Sequence, residues 1–173
     1  MNTTNPPISP ALRPIMDLEA LLREMIEEHR KLLMCVEIHQ GAMQSLNTLA
    51  METSRARQEA ARTRIVRLED RRRNMVMQIA RINQIKEEPK IPVIAELYPQ
   101  RRQQLLKLRQ ELMTAMQKVA DRSFVANKVA GAVLGHLNTA MRILASAVGS
   151  GGIYTNRGTP KMARRIGTVE AVG

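Results

Sequence analysis

The chain is predicted to be all-α, an elongated antiparallel helical bundle or coiled coil of three long helices. Three observations predict it. Apolar residues recur at spacings of three and four through most of the 173 residues, no stretch alternates with the period of a strand, and the prolines fall in clusters that separate the periodic segments. The organisation that follows is a flexible N-terminal arm over residues 1–15, a helical bundle over 16–148 and a flexible basic tail over 149–173.

Pro6, Pro7, Pro10 and Pro14 keep the start of the chain out of a helix interior, because each lacks an amide proton and restrains the residue before it. The first helix is expected to open near Asp17, with Asp17 and Glu19 toward the positive end of its dipole. Leu18, Leu22, Met25, His29, Leu32 and Val36 draw its apolar stripe, which continues through His39, Met43 and Leu46. Gly41 lies within it. Glycine costs about 1 kcal/mol in a helix interior, so a bend or break is expected near His39 to Ala42, with one continuous helix as the alternative.

The second helix is expected from about Ala42 to Ile85. Ala61, Ile65, Leu68, Arg72, Met75, Ile79 and Ile82 alternate steps of four and three, the period of a coiled-coil seam, with Arg72 as the misfit. Lys86 to Pro99 holds Pro89, Pro92 and Pro99 and is the connection where the chain reverses, with room for one helical turn. The third helix begins near Pro99, a residue suited to a first helical position, and runs to about Val148. Its stripe passes Leu105, Leu108, Leu112, Val119, Ala126, Ala130, Leu137 and Leu144, and Gly149, Gly151 and Gly152 stop it. The second and third helices would each exceed about forty residues, or roughly 60 to 75 Å at 1.5 Å per residue.

The aromatic side chains are Tyr98, Phe124 and Tyr154, so burial must come from aliphatic residues and twelve methionines. Net charge is +11 but uneven: four basic and six acidic residues lie in 1–50, eleven and six in 51–90. Such an excess attracts nucleic acid, anionic lipid or an acidic protein surface. Cys35 stands alone, which excludes an intrachain disulfide and fits a reducing compartment. The N-terminus lacks the pattern of a secretory signal. The longest uncharged runs, Ile38 to Met51 and Ile143 to Asn156, fall short of the roughly 20 residues needed to cross a bilayer. A cytoplasmic protein without membrane insertion is expected.

Few residues suggest chemistry. Cys35 and His39 share a helix face at a spacing that suits a thiolate and base or two metal ligands, yet no third ligand or oxyanion donor is placed beside them, and a packed helix interior is preferred. Glu69 with Asp70, and Glu87 with Glu88, are adjacent residues that point apart on a helix. GSGGIYTNRG follows a helix and lacks the strand before it and the helix after it that a phosphate loop needs. No catalytic residue, metal or cofactor is therefore assigned. The arginines from Arg55 to Arg73 could bind nucleic acid by counterion release, but Glu52, Glu59, Glu69 and Asp70 are interleaved and no aromatic platform accompanies them. A solvated, ion-paired face is preferred. Nucleic-acid binding by a basic coiled coil is kept as the alternative function, and a structural, self-associating homo-oligomer as a third.

Ser123 to Gly149 stands apart, being nearly uncharged and rich in small residues. Gly131 and Gly135, beside Ala126, Ala130 and Ala132, offer a surface another helix could approach closely. Either that face packs on helices of the same chain, or it receives a partner's helix through anchors at helical spacing.

In the order of its features the chain resembles flagellar export chaperones of the FlgN family. The likeness rests on long leucine-bearing helices, LEDRRR at Leu68 to Arg73, Asn127 opening an apolar run, and Tyr154 and Gly158 beyond the last helix, and it covers about Leu18 to Gly158. The resemblance implies a non-enzymatic cytoplasmic protein of type III secretion that binds hook-associated (hook-filament junction) proteins and delivers them to the flagellar export gate. It further implies Leu134, Leu137, Met141 and Leu144 as substrate-protein anchors and Tyr154 as the gate-docking residue. The chain departs from the family in its strong basicity and in the extension TPKMARRIGTVEAVG after Gly158.

Overall fold

The computed structural model describes residues 12–150, and every regular element in them is helical. Residues through Ala130 form one compact unit and residues from Gly131 a second.

Helix α1 (Arg13–Gln44) begins ahead of the expected Asp17, with Pro14 in its first turn. Amides there have no intrahelical acceptor, so a proline costs little. The expected break at His39 to Ala42 is absent, because α1 runs through Gly41 to Gln44. Ala42 and Met43, directly after the glycine, are buried, and that burial offsets the weak propensity at Gly41. The turn falls at Ser45 to Asn47. Leu46 adopts a left-handed φ of 52°, and the Asn47 amide reaches back to the Ala42 carbonyl at 2.9 Å. The Asn47 side chain then accepts the Ala50 amide proton at 3.0 Å and caps the next helix.

Helix α2 (Thr48–Ile82) has 35 residues, shorter than expected because polar caps close both ends. At its C-terminus Gln84 takes a φ of 56°, and the Asn83 side-chain amide donates to the Ile79 carbonyl at 2.8 Å and to the Tyr98 hydroxyl at 2.9 Å. The connection holds the helical turn expected there, α3 (Ile91–Leu97), opening on Pro92. Ile94, Ala95 and Tyr98 plug it into the core. A 3-10 turn over Pro99–Arg101 leads into α4 (Arg102–Ser150).

Ion pairs fix the direction of each helix. Glu28 meets Arg64 at 2.9 Å and Glu24 meets Arg71 at 3.4 Å. Descending α1 is thus ascending α2, and the two are antiparallel. Glu19 is paired with Arg101, and Glu37 with Arg122 at 3.1 Å. The first part of α4 therefore runs parallel to α1 and antiparallel to α2.

The main core gathers Ile15, Leu18, Leu22, Val76, Ile79 and Leu105, all fully buried, with Ile94 and Tyr98 of the connection. A second, sparser cluster of Leu32, Val36, Met43, Ala61 and Ala126 lies toward the α1–α2 turn. The seam expected on α2 holds at Ala61, Leu68 and Ile79 but departs at its end, where Val76 and Ala80 are buried and Ile82 is 58% exposed. A helix of 3.6 residues per turn drifts from a strict 3.5-residue seam, and the drift turns Val76 and Ala80 inward.

Glu19 is a carboxylate only 1% exposed inside this apolar end. The Arg101 guanidinium grips both of its oxygens, with Nε to Oε1 at 2.8 Å, and Arg23 adds a contact at 3.4 Å. The hydrogen bond to Glu19 raises the pKa of Arg101 above its ordinary value, so the cation persists at every accessible pH. Removing it would strand a buried charge. Arg101→Ala is expected to lower the unfolding free energy by about 2 to 4 kcal/mol, against about 0 to 1 for Arg122→Ala at the exposed pair, read from urea unfolding midpoints.

A pH dependence follows from two other carboxylates. Burial alone would push the Glu28 carboxyl up, but hydrogen bonds from Lys31 and Arg64, with their charges, hold it below the ordinary 4.5. The hydrogen bond from Arg72 holds Glu69 down in the same way, aided by the Arg72 charge and by Arg73 and opposed by burial. Both pKa values are depressed in the fold, so the stability they add is complete above 4.5 and is lost as pH falls through their folded values. Unfolding midpoints should hold near neutrality and decline below about pH 4.5, and a Glu28→Gln/Glu69→Gln variant should decline less over that acid range.

Candidate functional site

The stripe of α4 is the feature that the fold leaves unfinished. From Leu105 to Ala130 it is buried or half-buried, and Leu105, Leu108, Leu112 and Ala126 are in the core clusters. The register set by Glu19 with Arg101 and Glu37 with Arg122 puts Gln44, the last residue of α1, level with Ala126 to Val129. There α1 ends.

In the second unit most apolar residues of α4 are exposed. Leu134 is 60% exposed, Leu137 47%, Met141 67% and Leu144 61%. At about 100° per residue these four side chains fall within an arc of roughly 80° on one face of the helix. The four anchors expected from the sequence are thus brought together on one face. Ile143, 62% exposed, lies on the other side of the helix. No ion pair among the described residues lies beyond Arg122, so this face carries little charge to hold water.

The small-residue surface resolves differently. A Cβ placed on Gly131 or Gly135 would meet nothing within 4 Å among the described residues. The two glycines also sit roughly 100 to 140° around the helix from the middle of the leucine row. They form a separate face from the anchors. Sequence reasoning passed over Phe124, whose ring is 61% exposed with the Lys128 ammonium 4.5 Å from its centroid. Tyr154, the expected gate-docking residue, and most of the tail lie outside the described residues.

Other candidates are accounted for by the packing. Ser54 donates to the Met51 carbonyl at 2.9 Å and so accepts from His39 Nδ1 at 2.9 Å, which ties that ring to α2. The backbone carbonyl of Cys35 takes the Gln58 amide. His29 is buried and donates through Nδ1 to the Met25 carbonyl at 2.8 Å. Among the described residues no cluster of histidine, cysteine and carboxylates is placed to hold a metal ion, and no helix is long and apolar enough to cross a membrane. Of the arginines from Arg55 to Arg73, Arg62, Arg64, Arg71, Arg72 and Arg73 are engaged with carboxylates. Paired guanidinium groups release fewer counterions from a phosphate backbone, which weakens the nucleic-acid alternative.

A family model described as FlgN protein matches residues 15–161, most of the chain. No curated protein and no solved structure matches.

Proposed function

Because the chain belongs to the FlgN family of flagellar export chaperones, we propose that it binds hook-filament junction proteins through the leucine face of α4 and delivers them to the export gate from the cytoplasm. The observation that carries this is the exposed run of Leu134, Leu137, Met141 and Leu144 on one face of α4. The apolar helical periodicity persists there although no helix among the described residues covers it. A partner's amphipathic helix would supply the missing side of the packing, reading the face at i, i+3, i+7 and i+10.

Magnitudes suit a carrier. Full burial of one such side chain stabilises by about 1.5 to 3 kcal/mol, so four give at most about 6 to 12 kcal/mol. Association costs about 4 to 15 kcal/mol before any contact is made. The balance permits capture of an aggregation-prone helix and also its release.

Delivery is assigned to the tail, with Tyr154 as the contact on the gate. The lysine and arginines of PKMARR, Pro160 to Arg165, supply positive charge beside it.

Replacing Leu134, Leu137, Met141 and Leu144 together by glutamine should weaken binding of a purified junction protein at least tenfold in calorimetry. The urea midpoint of the bundle should stay unchanged, because exposed side chains contribute little to folding. Undiminished binding would remove these residues from the site. Tyr154→Ala should leave that binding intact and lower secretion of the client in motile cells, and normal secretion would remove Tyr154 from the docking role.

A further inference from the structure

The helix that carries the proposed anchors is built without the supports that hold the rest of α4. Its apolar row from Leu134 is exposed, and most helical stability in proteins comes from packing such a row. It has no ion pair among the described residues. Thr139 turns its hydroxyl back onto the Gly135 carbonyl at 3.0 Å, and Ser146 onto the Ile143 carbonyl at 2.7 Å, bonds that compete with the helix ladder. Gly131 and Gly135 stand where open space would admit alanine freely. Steric need does not explain glycine at either position, nor does the leucine face, which lies on another side of the helix.

We infer that the segment from Gly131 is held near the helix–coil midpoint in the free chaperone, and that seating a client completes it. Gly131 and Gly135 are then affinity-setting residues that never touch the client. Part of the binding free energy orders the helix, which keeps the complex weaker than its contact area and therefore releasable. This inference rests on the leucine face being the client site.

The test uses the full-length chain and the Gly131→Ala/Gly135→Ala variant, with Gly41→Ala as a control. Gly41 has the same open surroundings but lies in the packed part of α1. Amide hydrogen exchange in the free wild-type protein should be far faster across residues 131–146 than across 105–126, and the double variant should slow it. Each alanine favours the helix about fivefold, so affinity for the junction protein should rise roughly tenfold or more in the double variant and stay unchanged in Gly41→Ala. Equal protection of the two stretches in the wild type would overturn the inference, with or without a client. Slower exchange in the double variant at unchanged affinity would overturn the coupling. A wild-type protein that binds no junction protein contradicts the proposed client instead, and the exchange data then decide the state of the helix alone.

Discussion

The structure depends on the register between α1 and α4, and that register is locked by the buried pair of Glu19 and Arg101. A carboxylate with 1% exposure tolerates no slippage of its partner, because a shift of one helical turn in α4 would carry Arg101, on the 3-10 turn leading into it, about 5 Å away. With the N-terminal ends matched, α1 ends level with Ala126 to Val129 of α4. The apolar period of α4 persists in sequence to Leu144.

The two clusters of the core divide the work. Large aliphatic residues and Tyr98 fill the end where α3 closes the bundle. Toward the α1–α2 turn the core thins to Leu32, Val36, Met43, Ala61 and Ala126, and polar contacts such as His39 with Ser54 take over. The packing of the first unit is thus densest at the end that α3 closes.

Helix type and number were legible because the apolar spacing of three and four is long and uninterrupted. The connection was legible from Pro89, Pro92 and Pro99. What sequence could not place was the α1–α2 turn: Gly41 looked like the breaker, but burial of Ala42 and Met43 carried the helix past it to the Asn47 cap. The inward move to Val76 and Ala80 was hidden for a similar reason, since a fixed heptad cannot show where a third helix will lie. The proposed anchors were implied by the family resemblance, and their exposure was invisible. A stripe looks the same in sequence whether a helix of the same chain covers it or not.

Oxidative footprinting of the methionines compares the proposed face with an equally open control in one experiment. Met141 on the leucine row is 67% exposed and Met34 on α1 is 59% exposed, so both should oxidise readily in the free protein. Saturation with a hook-filament junction protein should protect Met141 and leave Met34 reactive. A saturated complex in which Met141 oxidises as fast as in the free chaperone would contradict the account.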